Sequence, residues 1–370
     1  MGDPAISAQG RAASLCGQNA HFSQTSGPGR RPLAWGRRVA YLSYTMKPVI
    51  CNYYLTYRCN AKCGFCNIWE DRTVPASKEA PPEIVCVNLA DMRELGVKVV
   101  DFTGGEPLLY AGLPEVLGCA KRYGLRTTVT SNGILYPKRA REIAGLVDIL
   151  QFSIDAADRE GHDSSKGVRC YDAVVESVEA ARSLGERPTF IHTVTDDNMP
   201  RVPDVMSFAR SLGVPLFLNP CFSYFGNPGL SPDNAIELGK IARGRGVVVD
   251  RGFLKFLIDG GNKTDNPRCL AVSSTIVISP DDKLIIPCFH RKMKEFPVNG
   301  GLSELRNSPE VQSEKNYEGT YPFCEGCTVN CYMRASLVRR LDRYFLPSVL
   351  SAAKYLWELY RGGRAPATSL

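Results

Sequence analysis

From Pro48 onward, apolar β-rich runs alternate with amphipathic stretches at the spacing of βα units. The runs ICNYYLTY (50–57), VKVVDFTG (97–104), LRTTVTSN (125–132), VDILQFSID (147–155), PTFIHTVT (188–195) and VPLFLNP (214–220) predict six strands. The intervening segments predict helices over 81–95, 112–123, 137–145, 170–184 and 200–212, several ending at a glycine. Six parallel strands with helices outside form a doubly wound sheet or an open barrel, the α/β class of a partial (β/α)6 TIM barrel. Past about residue 221 the alternation is expected to stop and a cysteine-rich module to follow.

The two ends read differently. Residues 1–32 are rich in Gly, Ser, Pro and Gln and predict a disordered tail, although Leu33–Tyr44 (LAWGRRVAYLSY) could form a short amphipathic helix. The chain therefore divides into a basic N-terminal tail (1–47), an α/β core (48–220), a cysteine module (221–333) and a basic aromatic helix (334–370). In that last segment Phe345, Val349, Ala352, Leu356 and Leu359 share one helical face, with Tyr355, Trp357 and Tyr360 nearby. Packing of that face on the barrel is the plain expectation; docking at an anionic membrane or chlorosome-like lipid surface is the other.

Composition narrows the classes. With 370 residues, 44% hydrophobic and 22% charged, the chain is neither disordered nor fibrous. Residues 1–47 carry six Lys/Arg and one acid, residues 334–370 seven and two, and the body between is slightly acidic. Basic ends on an acidic body do not make a nucleic-acid groove. The N-terminus lacks a signal-like apolar run and no stretch offers 18 apolar residues, so a cytoplasmic protein is expected, at most peripheral to a membrane. Its 14 cysteines then read as metal ligands where they cluster. Cys16, Cys51, Cys86, Cys119, Cys170 and Cys221 lack such spacing and read as ordinary buried small residues.

Polar or glycine residues gather at the C-terminal ends of the predicted strands: Thr103 to Glu106, Ser131 and Asn132, Ser153 and Asp155, His192, Thr193 and Thr195, and Asn219. In a parallel α/β barrel that face holds the active site. Directly after the first strand comes Cys59-Asn-Ala-Lys-Cys63-Gly-Phe-Cys66. Three thiolates this close can hold three irons of a cubane and leave the fourth open to a cofactor; zinc would want a fourth nearby Cys or His.

The C-x-x-x-C-x-x-C loop with Phe65 before its last cysteine, followed at the second strand end by Gly104-Gly105-Glu106-Pro107, resembles the radical S-adenosylmethionine (radical SAM) superfamily over roughly residues 48–220. The resemblance implies a 4Fe-4S cluster on Cys59, Cys63 and Cys66 and an S-adenosyl-L-methionine whose amino group is received by Gly104, Gly105 and Glu106. It further implies cofactor contacts from Ser131, Asn132, Ser153, Asp155 and Thr193, and a basic residue, Lys166 or Arg169, for the methionine carboxylate. The implied reaction is reductive cleavage of the cofactor and hydrogen abstraction by a 5'-deoxyadenosyl radical from an unactivated carbon, fed by a flavodoxin- or ferredoxin-type donor. No catalytic residue beyond the cluster is assigned.

Cys269 and Cys288 bracket a predicted hairpin, and Cys324-Glu-Gly-Cys327-Thr-Val-Asn-Cys331 follows. This pattern is similar to the SPASM module, or its shorter twitch form, which carries auxiliary clusters. It implies a second 4Fe-4S cluster on Cys269, Cys288, Cys324 and Cys327, with Cys331 as a spare thiol or alternative ligand; a structural zinc is the competing reading. A redox cluster there would make the reaction a net oxidation. His290 reads as a surface or pocket residue, with a ligand role as the alternative. The aromatic, weakly charged fifth and sixth strands favour a lipophilic small-molecule substrate, and the chain is similar to enzymes of green sulfur bacteria that oxidise a ring methyl of a bacteriochlorophyllide to formyl. A peptide-modifying SPASM maturase and a non-catalytic iron–sulfur electron carrier are the alternatives.

Overall fold

The structure is a computed structural model that describes residues 46–223 and 229–360. The expected N-terminal tail, its helix over Leu33–Tyr44, and Cys16 lie outside the described residues. All six predicted strands form: β1 Ile50–Thr56, β2 Val99–Gly104, β3 Arg126–Ser131, β4 Ile149–Ser153, β5 Thr189–Val194 and β6 Leu216–Pro220. They lie parallel in sequential order. The connecting helices are α1 Pro82–Leu95, α2 Leu113–Arg122, α3 Tyr136–Ile143, α4 Arg159–Lys166, α5 Tyr171–Ser183 and α6 Val202–Ser211. Alternation places Val100 and Phe102 of β2 in the core, while Asp101 and Thr103 on the opposite face stay half-buried. The same division recurs on β3, where Thr127, Val129 and Ser131 are buried and Thr128 and Thr130 are half-buried.

The expected halt near residue 221 does not occur. α7 (Pro232–Ile241), β7 (Val247–Val249) and α8 (Arg251–Ile258) continue the alternation, and β7 pairs parallel with β6. A short α9 (Ala271–Ser274) leads into β8 (Thr275–Ile278), which pairs parallel with β1 on the other side of the core. β9 (Lys283–Cys288) and β10 (Arg291–Pro297) follow antiparallel, giving one ten-stranded sheet in the order β10-β9-β8-β1-β2-β3-β4-β5-β6-β7. The cysteine segment thus extends the core sheet at both ends. Helices α10 (Leu302–Asn307), α11 (Pro309–Glu314), α12 (Asn330–Leu337) and α13 (Phe345–Tyr360) follow among the described residues.

The sheet is rolled. Phe289 stacks on Tyr54 of β1 with ring centroids 4.1 Å apart, and its neighbour His290 meets Phe222, just past β6, at 5.1 Å. β1 and β6 are five strand spacings apart, about 24 Å in a flat sheet, so only a curved sheet can bring their ends to adjacent residues. α12 lies against the β6 side of the opening: Asn330 and Arg334 both donate to the side-chain oxygen of Asn219, at 2.5 and 2.7 Å.

Two expectations are corrected here. Cys86 of α1 and Cys119 of α2 are joined in a disulfide rather than standing as separate buried thiols, whereas Cys51, Cys170 and Cys221 are buried and free. On α13, Leu359 of the expected inward face is buried, but Val349, Ala352 and Leu356 are exposed; the helix seats on Ser348 and Ser351 instead.

Candidate functional site

The loop after β1 is held from across the sheet. Lys62 and Gly64 donate their backbone N–H groups to the carbonyls of Lys166 and Ser165, at 2.8 and 3.2 Å, at the end of α4. The indole of Trp69 donates to the carbonyl of Cys66 at 2.7 Å. Cys59, Cys63 and Cys66 are free and half-buried. Burial raises all three thiols, Cys66 to about 11, while Lys166 pulls in the opposite direction. Without a bound cation they stay protonated at neutral pH, so this pocket favours thiolates only around a metal centre.

The Gly104-Gly105 turn lies directly on the start of that loop. Gly105 and Glu106 donate backbone N–H groups to the carbonyls of Thr56 and Arg58, at 2.8 and 2.9 Å. A Cβ on Gly104, which has φ +131°, would stand 2.0 Å from the Thr56 carbonyl oxygen, and one on Gly105 2.1 Å from that of Arg58. The glycines are therefore demanded by contact with this chain's own backbone. Glu106 is buried and accepts from the backbone N–H of Leu108 (3.1 Å), the hydroxyl of Ser131 (2.9 Å) and the backbone N–H of Asn132 (2.8 Å). Burial raises its carboxyl, and these three donors oppose the rise. Three of its roughly four lone-pair positions are used, which leaves room for one more donor. Asn132 also reaches the cysteine loop, donating to the side-chain oxygen of Asn60 at 2.7 Å.

Lys166 ends α4 pointing inward. Its ammonium lies 2.8 Å from the Ser153 hydroxyl and 3.1 Å from Asp155, and 5.9 Å from the centroid of the Phe65 ring. Arg169 is exposed. Thr193 stands half-buried on β5 beside Asn219 of β6. A cavity of about 480 Å³ opens next to Phe65 and Asp155 and is bordered by Ser165, Thr195, Asp197 and Cys221. Loop, turn, Lys166 and cavity thus share the C-terminal rim of the sheet.

The inner face below this rim carries a polar set that the sequence did not single out. Asp101 accepts from the Thr128 hydroxyl at 2.5 Å, and burial raises its carboxyl to about 6. Thr130 donates to Gln151 at 3.3 Å. Arg334 reaches in from α12, over the Phe217 ring at 4.4 Å, and its buried Nε has no hydrogen-bond partner. Cys331 feels both Asp101 and Arg334.

The remaining cysteines gather elsewhere. Cys269, Cys288, Cys324 and Cys327 line one cavity of about 710 Å³ together with His290, Arg291 and Phe323; Cys331 is not among its walls. Burial holds Cys288 at about 12 and Cys324 at about 11, and each thiol of the four is raised by it. Fully buried Asn262 organises the set: its amide donates to the carbonyls of Gly319 (2.8 Å) and Cys324 (3.1 Å), and its oxygen accepts from Arg268 (2.9 Å) and Cys269 (3.2 Å). Its backbone N–H donates to Cys327 at 3.0 Å. Among the described residues, no group of three or more His, Cys, Asp or Glu is close enough to hold a single metal ion.

Residues 53–209 match the family model of the radical SAM superfamily. These residues are a radical SAM domain. The family uses a 4Fe-4S cluster with S-adenosylmethionine. Among curated proteins it is 32% identical over 164 residues to the probable GTP 3',8-cyclase of Metallosphaera sedula, covering 43% of this chain and 51% of that one. To the probable GTP 3',8-cyclase of Methanosarcina acetivorans it is 27% identical over 312 residues, 78% and 89% of the two chains. The chain therefore spans about half the length of the first of these relatives. Streptococcus suis SuiB, solved bound to S-adenosylmethionine, shares the fold with a TM-score of 0.57 at 15% identity, over 80% of this chain and 73% of SuiB; SuiB has also been solved bound to its precursor peptide SuiA.

Proposed function

We propose that Cys59, Cys63 and Cys66 hold the 4Fe-4S cluster of this radical SAM domain, and that Gly104, Gly105, Glu106, Ser131, Asn132, Ser153, Asp155, Lys166 and Thr193 seat S-adenosylmethionine beside it. When bound, the cluster and cofactor supply a 5'-deoxyadenosyl radical by reductive cleavage. The protein's own residues position and shield. Glu106 keeps one lone pair for the cofactor's ammonium, Lys166 offers positive charge to its carboxylate, and the half-buried inner face brings a substrate carbon under the rim while excluding bulk water. The convergence of the cysteine loop, the Glu106 turn and Lys166 on one rim carries this reading. Anaerobic reconstitution followed by reduction should yield 5'-deoxyadenosine from wild type and none from Cys63→Ala; retained deoxyadenosine in the variant refutes it.

Cys269, Cys288, Cys324 and Cys327 are assigned to an auxiliary 4Fe-4S cluster of twitch or SPASM type, which would take an electron from the substrate radical and make the reaction a net oxidation. Four thiols around one large cavity, none grouped tightly enough for a single ion, suit a cubane better than zinc, whose thiolates at about 2.3 Å crowd one another. Reduction by a flavodoxin- or ferredoxin-type donor and contact of the C-terminal helix with a membrane surface belong to the same proposal.

For the substrate, the inner face argues for polar substituents. Thr128, Thr130, Gln151 and Asn219 bond within the protein, but Asp101 keeps acceptor positions beyond its bond from Thr128 and the Arg334 Nε has no hydrogen-bond partner, and a wholly apolar ligand would leave both unmet. A lipophilic molecule fits if it bears such groups, as a bacteriochlorophyllide carboxylate would opposite Arg334. A peptide is the second reading, favoured by the fold shared with SuiB. Incubation with each class under turnover conditions, read by mass change of the substrate, separates the two.

A further inference from the structure

Helix α13 is built inside out. Apart from Leu359, which is buried, and Tyr355, whose ring meets Phe217 at 5.3 Å, its residues against the body are small and polar: the Ser348 hydroxyl donates to Asp250 at 3.1 Å, and that of Ser351 accepts from the backbone N–H of Arg251 at 3.1 Å. A Cβ on Gly252 would come within 2.0 Å of the Ser348 hydroxyl oxygen, so the contact is close. Glu358 and Lys354 bind the backbone of Gly246 and Gly244 at 3.0 Å each. The residues facing away are apolar: Leu346 and Leu350 are 60% exposed and Trp357 65%, with Val349, Ala352, Ala353 and Leu356 between them. At 100° per residue these seven fall on one continuous face that contains no charged side chain. Leu341, 79% exposed, extends the patch beyond the helix start.

An apolar stripe turned outward marks an interaction surface. Its border is basic: Arg340 and Arg343 stand at the helix start, Arg343 also paired with Asp259 at 2.9 Å, and Lys354 lies along its flank; residues 339–370 carry six Lys/Arg against two acids while the body is slightly acidic. Pairing this face with the same face of a second copy would bring like-charged borders together. No helix among the described residues is long and apolar enough to cross a membrane. The geometry points to α13 lying in the plane of an anionic lipid surface, with Leu346, Leu350 and Trp357 at the acyl boundary and the arginines among the headgroups. This deepens the membrane-contact reading of the helix and rests on the surface of α13, independently of the radical chemistry.

The test is co-sedimentation of the full chain with phosphatidylcholine vesicles and with vesicles of phosphatidylcholine mixed with phosphatidylglycerol. Binding to the mixed vesicles should exceed binding to the neutral ones by about tenfold, as a few basic residues at a charged surface provide. The triple variant Leu346→Ser, Leu350→Ser, Trp357→Ser should lose that binding while keeping wild-type circular dichroism, iron content and cofactor cleavage. Equal binding to both vesicle types, or binding retained by the variant, overturns the proposal. So does failure of the full chain to bind vesicles, whether light scattering then finds a dimer that the variant abolishes or a monomer whose own terminal segments cover the face.

Discussion

The ammonium of Lys166 lies 3.1 Å from a carboxylate oxygen of Asp155, and each side chain is only 2% exposed. The pair joins the end of β4 to the last turn of α4, whose backbone carbonyls in turn hold the cysteine loop. Burial would push the Asp155 carboxyl up, but Lys166, His162, His192 and the Ser165 hydroxyl outweigh it and hold the group below its usual range. Lys166→Met leaves that carboxylate buried without a counter-ion. Urea unfolding at pH 7 should show a loss of about 3–5 kcal/mol. Because the folded pKa is depressed, the stabilisation is present above the unfolded value of about 3.9 and fades as pH falls through the lower folded value. The difference between wild type and variant should therefore shrink towards pH 3; an undiminished gap there would mean the loss is packing rather than charge.

How far the sequence carries this picture depends on the range of the interaction that decides each element. β1 to β6 and their helices follow from local periodicity and glycine stops, and their bounds shift by only a residue or two. α4 escapes notice because REGHDSSK has no apolar stripe; it exists through the Asp158 cap on Gly161 and the left-handed Gly167. β7 is three valines long, and β8 joins β1 across more than two hundred residues, a pairing no local pattern encodes. The helix α13 misleads because periodicity finds an apolar face without saying which way it turns. Asn262 sits in a Gly-Gly-Asn-Lys stretch that reads as a turn, yet it is the tether of three cysteines.

Asp101 is a carboxyl held above its ordinary range, to about 6, by burial, with Thr128 opposing. A raised folded pKa means the ionised form costs stability above about pH 6, and the cost disappears as pH drops through that value towards 4. Asp101→Asn should stabilise the fold at pH 7.5 by about 1–2 kcal/mol, less than the full shift because the side chain keeps some solvent contact, and by nothing at pH 4. The same variant should turn over substrate poorly while forming deoxyadenosine normally. Unchanged turnover would remove Asp101 from the substrate face.

Gly105 is confined by the Arg58 carbonyl, itself fixed where Arg58 pairs with Glu79 at 2.9 Å. Gly105→Ala must push the Glu106 turn off β1, at a cost of about 2–4 kcal/mol. Cofactor affinity should fall at least tenfold by equilibrium dialysis, with iron on the cysteine loop retained. Wild-type affinity would show that the turn yields without moving Glu106.

Cys327 and Cys331 are four residues apart, and the structure separates them: Cys327 lines the cavity with Cys269, Cys288 and Cys324, whereas Cys331 turns towards Asp101 and Arg334. With two cubanes, Cys327→Ser should lower reconstituted iron from about eight to about four per chain, while Cys331→Ser should keep all eight. Asn262→Leu should resemble Cys327→Ser, since removing its amide frees the backbone at Cys269 and Cys324 and strands buried carbonyls at about 1–3 kcal/mol each. Circular dichroism separates loss of iron from loss of fold. If Asn262→Leu folds and retains eight irons, the cavity is shaped by its strands alone; if Cys331→Ser and not Cys327→Ser loses four, the ligand set must include the thiol that faces the inner sheet.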